Sequence, residues 1–111
     1  MFRLLISPPA ERDIAAILRW THEQFGESAR LRYEALLVQA MRDVAENPDR
    51  LGSCSRPELA PAARSYHLYH SRNRVARGIG RVKKPRHLLL FRTRSDGALE
   101  LGRVLHDSLD L

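Results

Sequence analysis

The chain has 111 residues, of which 43% are hydrophobic and 29% charged, a composition typical of one globular domain and not of a disordered chain. Its single cysteine excludes an internal disulfide and a cysteine-based zinc site. No apolar run approaches the roughly 18 residues that a membrane span needs. We therefore expect a single domain over residues 1–111, located in the reducing cytoplasm and not in a membrane.

The formal net charge is +6, and it is unevenly distributed along the chain. Residues 1–55 contain seven basic and eight acidic side chains, whereas residues 56–111 contain twelve basic and five acidic ones. Between Arg64 and Arg94 there are ten basic residues and no acidic residue. Such a field favours a polyanionic partner, which is nucleic acid, an acidic membrane surface or an acidic protein segment. The alternative is an arginine-rich surface that only contacts solvent.

The first half of the chain has the pattern of a strand followed by two helices. Phe2 to Ile6 is a short apolar run typical of a strand, and Ser7 before Pro8 is typical of a helix N-cap. Apolar residues at helical spacing then continue to Gly26, which predicts one helix, and from Glu27 to Glu46, which predicts another. The tight turn between the two helices predicts an antiparallel helical hairpin.

The second half of the chain contains strand signals. Residues 48–63 are rich in turn-forming residues and predict a loop. Strands are predicted at Arg64–Tyr69 and His87–Thr93, separated by a long connection over 71–86. Asp96-Gly97 predicts a hairpin turn before a last strand of alternating leucines. The predicted fold is α+β: an N-terminal strand, an antiparallel helical hairpin, then a three-stranded antiparallel sheet with the helix pair packed on one face.

Metal and cofactor sites are not expected. Cys54 lies in the predicted loop with no histidine near it in sequence, so we do not expect it to be a nucleophile. His67 and His70 are three residues apart on a predicted strand and therefore point to opposite faces, which disfavours joint ligation of a metal. No glycine-rich phosphate motif is present.

Three arginines and one histidine are predicted on or just after the strands: Arg64, Arg92, Arg103 and His106. Converging cations with a histidine could stabilise a phosphoryl transition state and supply an acid or base for RNA cleavage. The alternative is that these arginines pair with carboxylates or bind an acidic partner, and that His106 only ends the sheet. No second residue of suitable pKa pairs with His106 in the sequence, which favours the alternative.

Motifs over nearly the whole length have an order and spacing that together are characteristic of a family. In chain order they are Ile6 to Ile14, Ile17, Trp20, Phe25-Gly26, Tyr33, Leu37, Ala40, Asn47-Pro48, Gly52, Arg56 to Leu59, Arg64-Ser65, Arg103 to His106 and Asp110-Leu111. In this order they resemble the ParE toxins of bacterial type II toxin–antitoxin modules, within the RelE/ParE superfamily. The fold implied by this resemblance agrees with the fold predicted above.

The resemblance implies a toxin that functions in plasmid stabilisation. It also implies that a cognate ParD-like antitoxin neutralises the toxin in a hetero-oligomer such as a heterotetramer. For ParE members it implies DNA gyrase as the target, inhibited by binding without enzymatic activity, with DNA contacted through the complex. For RelE members it implies a ribosome-dependent mRNA ribonuclease, in which His106, Arg92 and Arg64 would be the catalytic residues. The long helical hairpin and the scarcity of lysine on the sheet favour the ParE branch.

Two sets of residues are expected to bind partners. The set expected to contact antitoxin or target is Trp20, Arg64, Tyr66, Arg92, Arg103, His106, Leu109 and Leu111. The basic connection over 71–86 is expected to add an electrostatic contribution to binding, because it contains no acidic residue that could pair its cations: Arg72, Arg74, Arg77, Arg81, Lys83, Lys84 and Arg86.

Overall fold

The computed structural model describes residues 1–109, and its elements follow the predicted order. In chain order they are β1 (Arg3–Ile6), α1 (Pro8–Phe25), α2 (Glu27–Glu46), β2 (Ser53–Ser55), β3 (Ala63–His67), a 3-10 helix (Leu68–Ser71), β4 (His87–Thr93) and β5 (Ala98–His106). Both predicted helices and the four predicted strands are confirmed. The α+β fold of the ParE-like resemblance is confirmed with them.

The strands form one five-stranded mixed sheet in the order β1-β5-β4-β3-β2. The sheet has two strands more than the three antiparallel strands predicted for it, because β1 and β2 are added at its two edges. β1 pairs in parallel with β5, and β2 pairs antiparallel with β3. β2 was missed because Ser53–Ser55 has no apolar alternation within a segment rich in turn residues.

The ends of the helices are determined by the predicted local signals. The Ser7 hydroxyl accepts a hydrogen bond from the Ala10 amide at 3.2 Å, which confirms it as the N-cap of α1. Gly26 ends α1 and begins α2 with φ of 91°, a conformation that side chains with a Cβ rarely adopt. The turn at Asp96-Gly97 is also confirmed, since Gly97 has φ of 84° between β4 and β5.

The helical hairpin packs its apolar stripes onto one face of the sheet, as predicted. The largest fully buried apolar side chains come from α2, β3, β4, β5 and the 3-10 helix: Leu36, Leu37, Val44, Tyr66, Leu68, Leu89, Leu99 and Leu101. Burial of each such side chain contributes about 1.5–3 kcal/mol relative to an exposed one, so this layer provides most of the stability.

One predicted strand ends early. The pattern at Arg64–Tyr69 predicted a strand through Tyr69, but β3 stops at His67 and a 3-10 helix follows. The His67 ring nitrogen Nδ1 accepts a hydrogen bond from the Tyr69 amide at 3.0 Å, which caps this turn and ends the ladder. The chain then enters the irregular basic connection, which is attached to the core by Val75 and Val82.

Among the helices within residues 1–109, none is both long enough and apolar enough to cross a bilayer.

Candidate functional site: two grooves and a histidine cluster

A buried carboxylate on α2 holds the start of the basic connection. Asp43 is 2% exposed, and its oxygens accept hydrogen bonds from the Ser71 hydroxyl at 2.6 Å and from Arg74 Nε at 3.0 Å. Arg50 Nη1 lies 3.0 Å from the same carboxylate. The Tyr66 hydroxyl in turn lies 2.7 Å from the Ser71 hydroxyl, and burial raises the pKa of Tyr66, so that it remains a donor.

Two expectations about this region are corrected by that network. Tyr66 was expected to contact a partner, but its side chain is fully buried and faces Ser71. Arg74 was expected to lack an acidic partner, yet it pairs with Asp43 from a helix that lies far away in sequence.

Two further cations of the basic connection are also engaged. Arg86 pairs with Asp107 at 3.0 Å, and Arg72 stacks over the Tyr69 ring at 3.5 Å from its centroid. The remaining four cations form no ion pair within residues 1–109: Arg77, Arg81, Lys83 and Lys84. The expected electrostatic contribution of this segment is therefore concentrated in residues 77–84.

A concave surface of about 840 Å³, which we call the basic groove, lies between the hairpin and the end of the basic connection. Trp20 and Phe25 at its rim are 55% and 67% exposed and contact each other edge to face, with ring centroids 5.6 Å apart. Its described lining contains five cations and no carboxylate: Arg32, Arg81, Lys83, Lys84 and Arg86. The predicted partner residue Trp20 thus lies beside part of the predicted basic segment.

A second concave surface of about 1000 Å³, the helical groove, runs along α1 and α2 to the basic connection. It is mainly apolar, and its two glutamates balance its two arginines. Leu31, Val38 and Ile79 on this surface are 44%, 38% and 45% exposed. Apolar side chains that are this exposed and contiguous are typical of a protein-binding surface.

A cluster of histidines lies at the inner end of the basic groove. The Tyr33 hydroxyl accepts a hydrogen bond from the Arg86 amide at 3.1 Å and lies 2.6 Å from Nδ1 of His87. Burial raises the pKa of Tyr33 to about 12, so its hydroxyl is protonated and donates to His87. Because Nδ1 of His87 accepts this hydrogen bond, we assign His87 as neutral, with its proton on Nε2. Burial, with the neighbouring His106, lowers the pKa of His87 to about 4, in agreement with this assignment.

His106 and Asp107 complete this cluster. The His106 ring lies 5.2 Å from that of His87, and its Nδ1 accepts a hydrogen bond from the Ser108 amide at 3.1 Å. Asp107 lies 3.0 Å from Nε2 of His67. The hydrogen bond from His67 is the main cause that holds the pKa of Asp107 below its usual value, and the hydrogen bond and charge of Arg86 add to it. His106 is exposed, whereas His87 is the less accessible of the pair.

The candidate catalytic residues do not converge. His106 lies opposite His87 at one end of β4, and Arg92 is five residues further along the same strand, roughly 17 Å away at 3.3 Å per residue. Arg92 pairs with Glu100 at 3.2 Å. Arg64, near the Arg92 end, donates to the Ser53 hydroxyl at 2.8 Å. The predicted set is therefore divided between the two ends of the sheet.

The remaining predicted contact residues lie on different surfaces. Arg103 pairs with Asp13 of α1 at 2.7 Å. Burial would raise the pKa of Asp13, but the hydrogen bonds from Arg103 and from the Val104 amide outweigh it and lower that pKa. Leu109 is 51% exposed at the end of the described chain. Leu111 and Asp110 lie outside the described residues.

Sequence reasoning missed Asp43, Tyr33 and His87 as parts of a site. The signal for Asp43 was present, because it lies three residues after Ala40 on the apolar stripe of α2, where a charge needs a partner. Tyr33 and His87 are 54 residues apart, and only the packed fold brings them together.

Cys54 is exposed on the edge strand β2. No three potential metal-ligating side chains cluster within residues 1–109.

A comparison with protein families matches residues 4–111 to the family described as the ParE toxin of type II toxin–antitoxin system, parDE. The match covers essentially the whole chain. The chain therefore belongs to the ParE toxin family, and it is a toxin of the type II toxin–antitoxin class, which implies an antitoxin partner. A search of curated proteins found no significant match.

The neutral state of His87 predicts a loss of stability in mild acid. In the unfolded chain the His87 ring takes up a proton near pH 6.5, whereas in the folded protein it takes one up only near pH 4. The stability contribution is therefore complete above pH 6.5 and falls as the pH drops towards 4. Because the ring is only half-buried, solvent screening limits this loss to about 2 kcal/mol.

Substitution of His87→Asn retains an acceptor near Nδ1 without a titrating group, so the loss of unfolding free energy between pH 7 and pH 4.5 should shrink by that amount. Chemical denaturation at the two pH values measures it. The exposed-histidine control His22→Asn should keep the full acid dependence. Equal acid dependence in His87→Asn and the wild type would contradict the assignment of a neutral, buried His87.

Proposed function

We propose that this toxin inhibits DNA gyrase by binding, so that cleaved DNA accumulates, and that it carries out no covalent chemistry itself. The observation that carries the proposal is that His106 lies opposite His87 at one end of β4, whereas Arg92 and Arg64 lie near its other end. Arg92 pairs with Glu100 at 3.2 Å, at the end of β4 away from His106. DNA gyrase is the target that the ParE resemblance implies. A cytoplasmic location and a role in plasmid stabilisation belong to the same proposal.

The antitoxin is proposed to be a ParD-like protein that forms a hetero-oligomer, such as a heterotetramer, with the toxin. An acidic and partly helical segment of it fits the helical groove, where Leu31 and Val38 offer exposed apolar surface next to Arg32 and Arg42. This is a helix-in-groove mode, in which apolar anchors at helical spacing supply most of the affinity. Contact with DNA through the assembled complex follows from the excess of positive charge.

Binding of the cognate antitoxin should raise the melting temperature of the toxin, because a ligand that binds only the folded state stabilises it. The double substitution Leu31→Glu and Val38→Glu places negative charge in the helical groove and should abolish most of this rise. A matched control, Leu51→Glu and Leu59→Glu, changes two exposed leucines outside both grooves and should retain it. Thermal unfolding with excess antitoxin measures both. An undiminished rise in the groove variant would place the antitoxin elsewhere.

A second candidate function is the RelE-like mRNA ribonuclease, which the histidine cluster favours. His106 is exposed, it lies beside His87, and Arg86 is close enough to share Asp107 with this cluster. Acid–base cleavage of RNA uses a positioned proton donor or acceptor, most often a histidine, and a nearby cation can stabilise the charge that develops on the phosphate. The ribonuclease would therefore depend on His106 with Arg86, and not on the predicted Arg92 and Arg64.

The variant His106→Gln separates the two functions. If the toxin acts by binding, the substitution removes one contact worth about 1 kcal/mol, and gyrase inhibition should weaken by no more than roughly fivefold. If His106 is a general acid or base, cleavage should fall by about 10² to 10⁴-fold. The measurement compares gyrase-dependent DNA cleavage with ribosome-dependent mRNA cleavage, using His22→Gln as the matched control. Ribosome-dependent cleavage by the wild type that disappears in His106→Gln would overturn the proposal.

A further inference from the structure

The side chains that line the basic groove offer many hydrogen-bond donors and few hydrogen-bond acceptors. Its charged side chains are the five cations, and no carboxylate lines it among the described residues. The Thr21 hydroxyl donates to the Ile17 carbonyl, and the Tyr33 hydroxyl is engaged by Arg86 and His87. Phosphate oxygens accept hydrogen bonds and carry charge, so they match this lining. An extended peptide would need acceptors for its backbone amides, and the groove side chains offer few.

An aromatic surface lies at the rim of the same groove. Trp20 is 55% exposed although it is the largest apolar side chain on α1, and Phe25 beside it is 67% exposed. Exposed aromatic rings next to cations are the combination with which proteins bind unpaired bases, since every base has a face that can stack. The bases of an intact duplex are already stacked on each other and cannot reach such a ring.

The cations are held on a fixed backbone. Val82 packs against the core between Arg81 and Lys83, and Pro85 is buried between Lys84 and Arg86. The ion pair of Arg86 with Asp107 and the hydrogen bond of its amide to Tyr33 anchor the end of the segment. Little backbone entropy is therefore lost when these side chains bind a ligand.

From this arrangement we propose that the basic groove is a binding site for single-stranded nucleic acid, in which a base stacks on Trp20 and phosphates contact Arg81, Lys83 and Lys84. The site goes beyond the proposed inhibition of gyrase, because it binds nucleic acid directly and in the absence of any other protein. If both proposals hold, the groove would contact an unpaired stretch of the DNA on which gyrase acts.

The chain contains one tryptophan, so its fluorescence reports directly on this site. Titration of the full-length toxin with oligothymidylate should quench the fluorescence of Trp20, and a labelled oligothymidylate should show a matching rise in anisotropy. Trp20→Ala should lower the affinity measured by anisotropy roughly 10-fold, because one stacked base is lost. Tyr69→Ala removes a similarly exposed ring outside the groove and should leave the affinity unchanged.

The triple substitution of Arg81, Lys83 and Lys84 by Gln tests the phosphate contacts. It should flatten the slope of log affinity against log salt by about 2, since each contact to a single strand contributes roughly 0.7. A control of equal charge replaces Arg12, Arg19 and Arg42 by Gln, which are exposed cations outside the basic groove. That control should flatten the slope much less. Melting temperatures of all variants establish that they are folded.

Three outcomes would overturn the proposal: equal slopes in the two triple variants, oligothymidylate binding without quenching of Trp20, or quenching only by an acidic peptide of glutamate and leucine. The last outcome would assign the groove to a protein segment. None of these results involves gyrase. Absence of oligothymidylate binding by a wild-type toxin that inhibits gyrase would therefore refute the nucleic-acid site alone. Oligothymidylate binding by a wild-type toxin that does not inhibit gyrase would refute the proposed function alone.

Discussion

The charge of Asp43, buried on the apolar side of α2, is the constraint on which the arrangement of the second half of the chain depends. A buried carboxylate costs several kcal/mol unless ion pairs and hydrogen bonds compensate it. Within α2 the Gln39 amide donates to this carboxylate at 2.9 Å. The rest of the compensation comes from two segments that lie far apart in the sequence: Arg50 in the loop after α2, and Ser71 with Arg74 at the start of the basic connection. Both segments must fold against α2 before the carboxylate is satisfied. The network thereby determines where residues 72–86 begin their path across the molecule.

The same pairing decides which cations are available to a partner. Asp43 and Asp107 engage Arg74 and Arg86 at the two ends of the basic connection. The cations that form no ion pair within residues 1–109 lie in its middle, next to the end of the helical hairpin. Part of the positive charge of the chain is therefore concentrated in the basic groove beside Trp20. The helical groove, in contrast, is apolar with balanced charges. Two surfaces of different chemistry suit a toxin that has both an antitoxin and a separate target.

The sequence predicted well those features that depend on local signals, such as the N-cap at Ser7 and the turn at Asp96-Gly97. It did not predict the parallel pairing of β1 with β5 or the ion pair between Asp43 and Arg74, because these join residues far apart in sequence. The separation of His106 from Arg92 could have been deduced. A hairpin that turns at 96–97 places Arg92 opposite residue 100 and close to the turn, whereas His106 lies at the open end.

The central claim is that the buried charge of Asp43 holds the basic connection in place, and amide hydrogen exchange tests it most directly. The exposed carboxylate of Asp49 provides the matched substitution, since it is 81% exposed. In Asp43→Asn, exchange within residues 72–86 should be much faster than in the wild type, while α1 and the pairing of β4 with β5 keep their protection. Asp49→Asn should leave exchange unchanged throughout. Unchanged exchange in residues 72–86 of a folded Asp43→Asn variant would contradict the account.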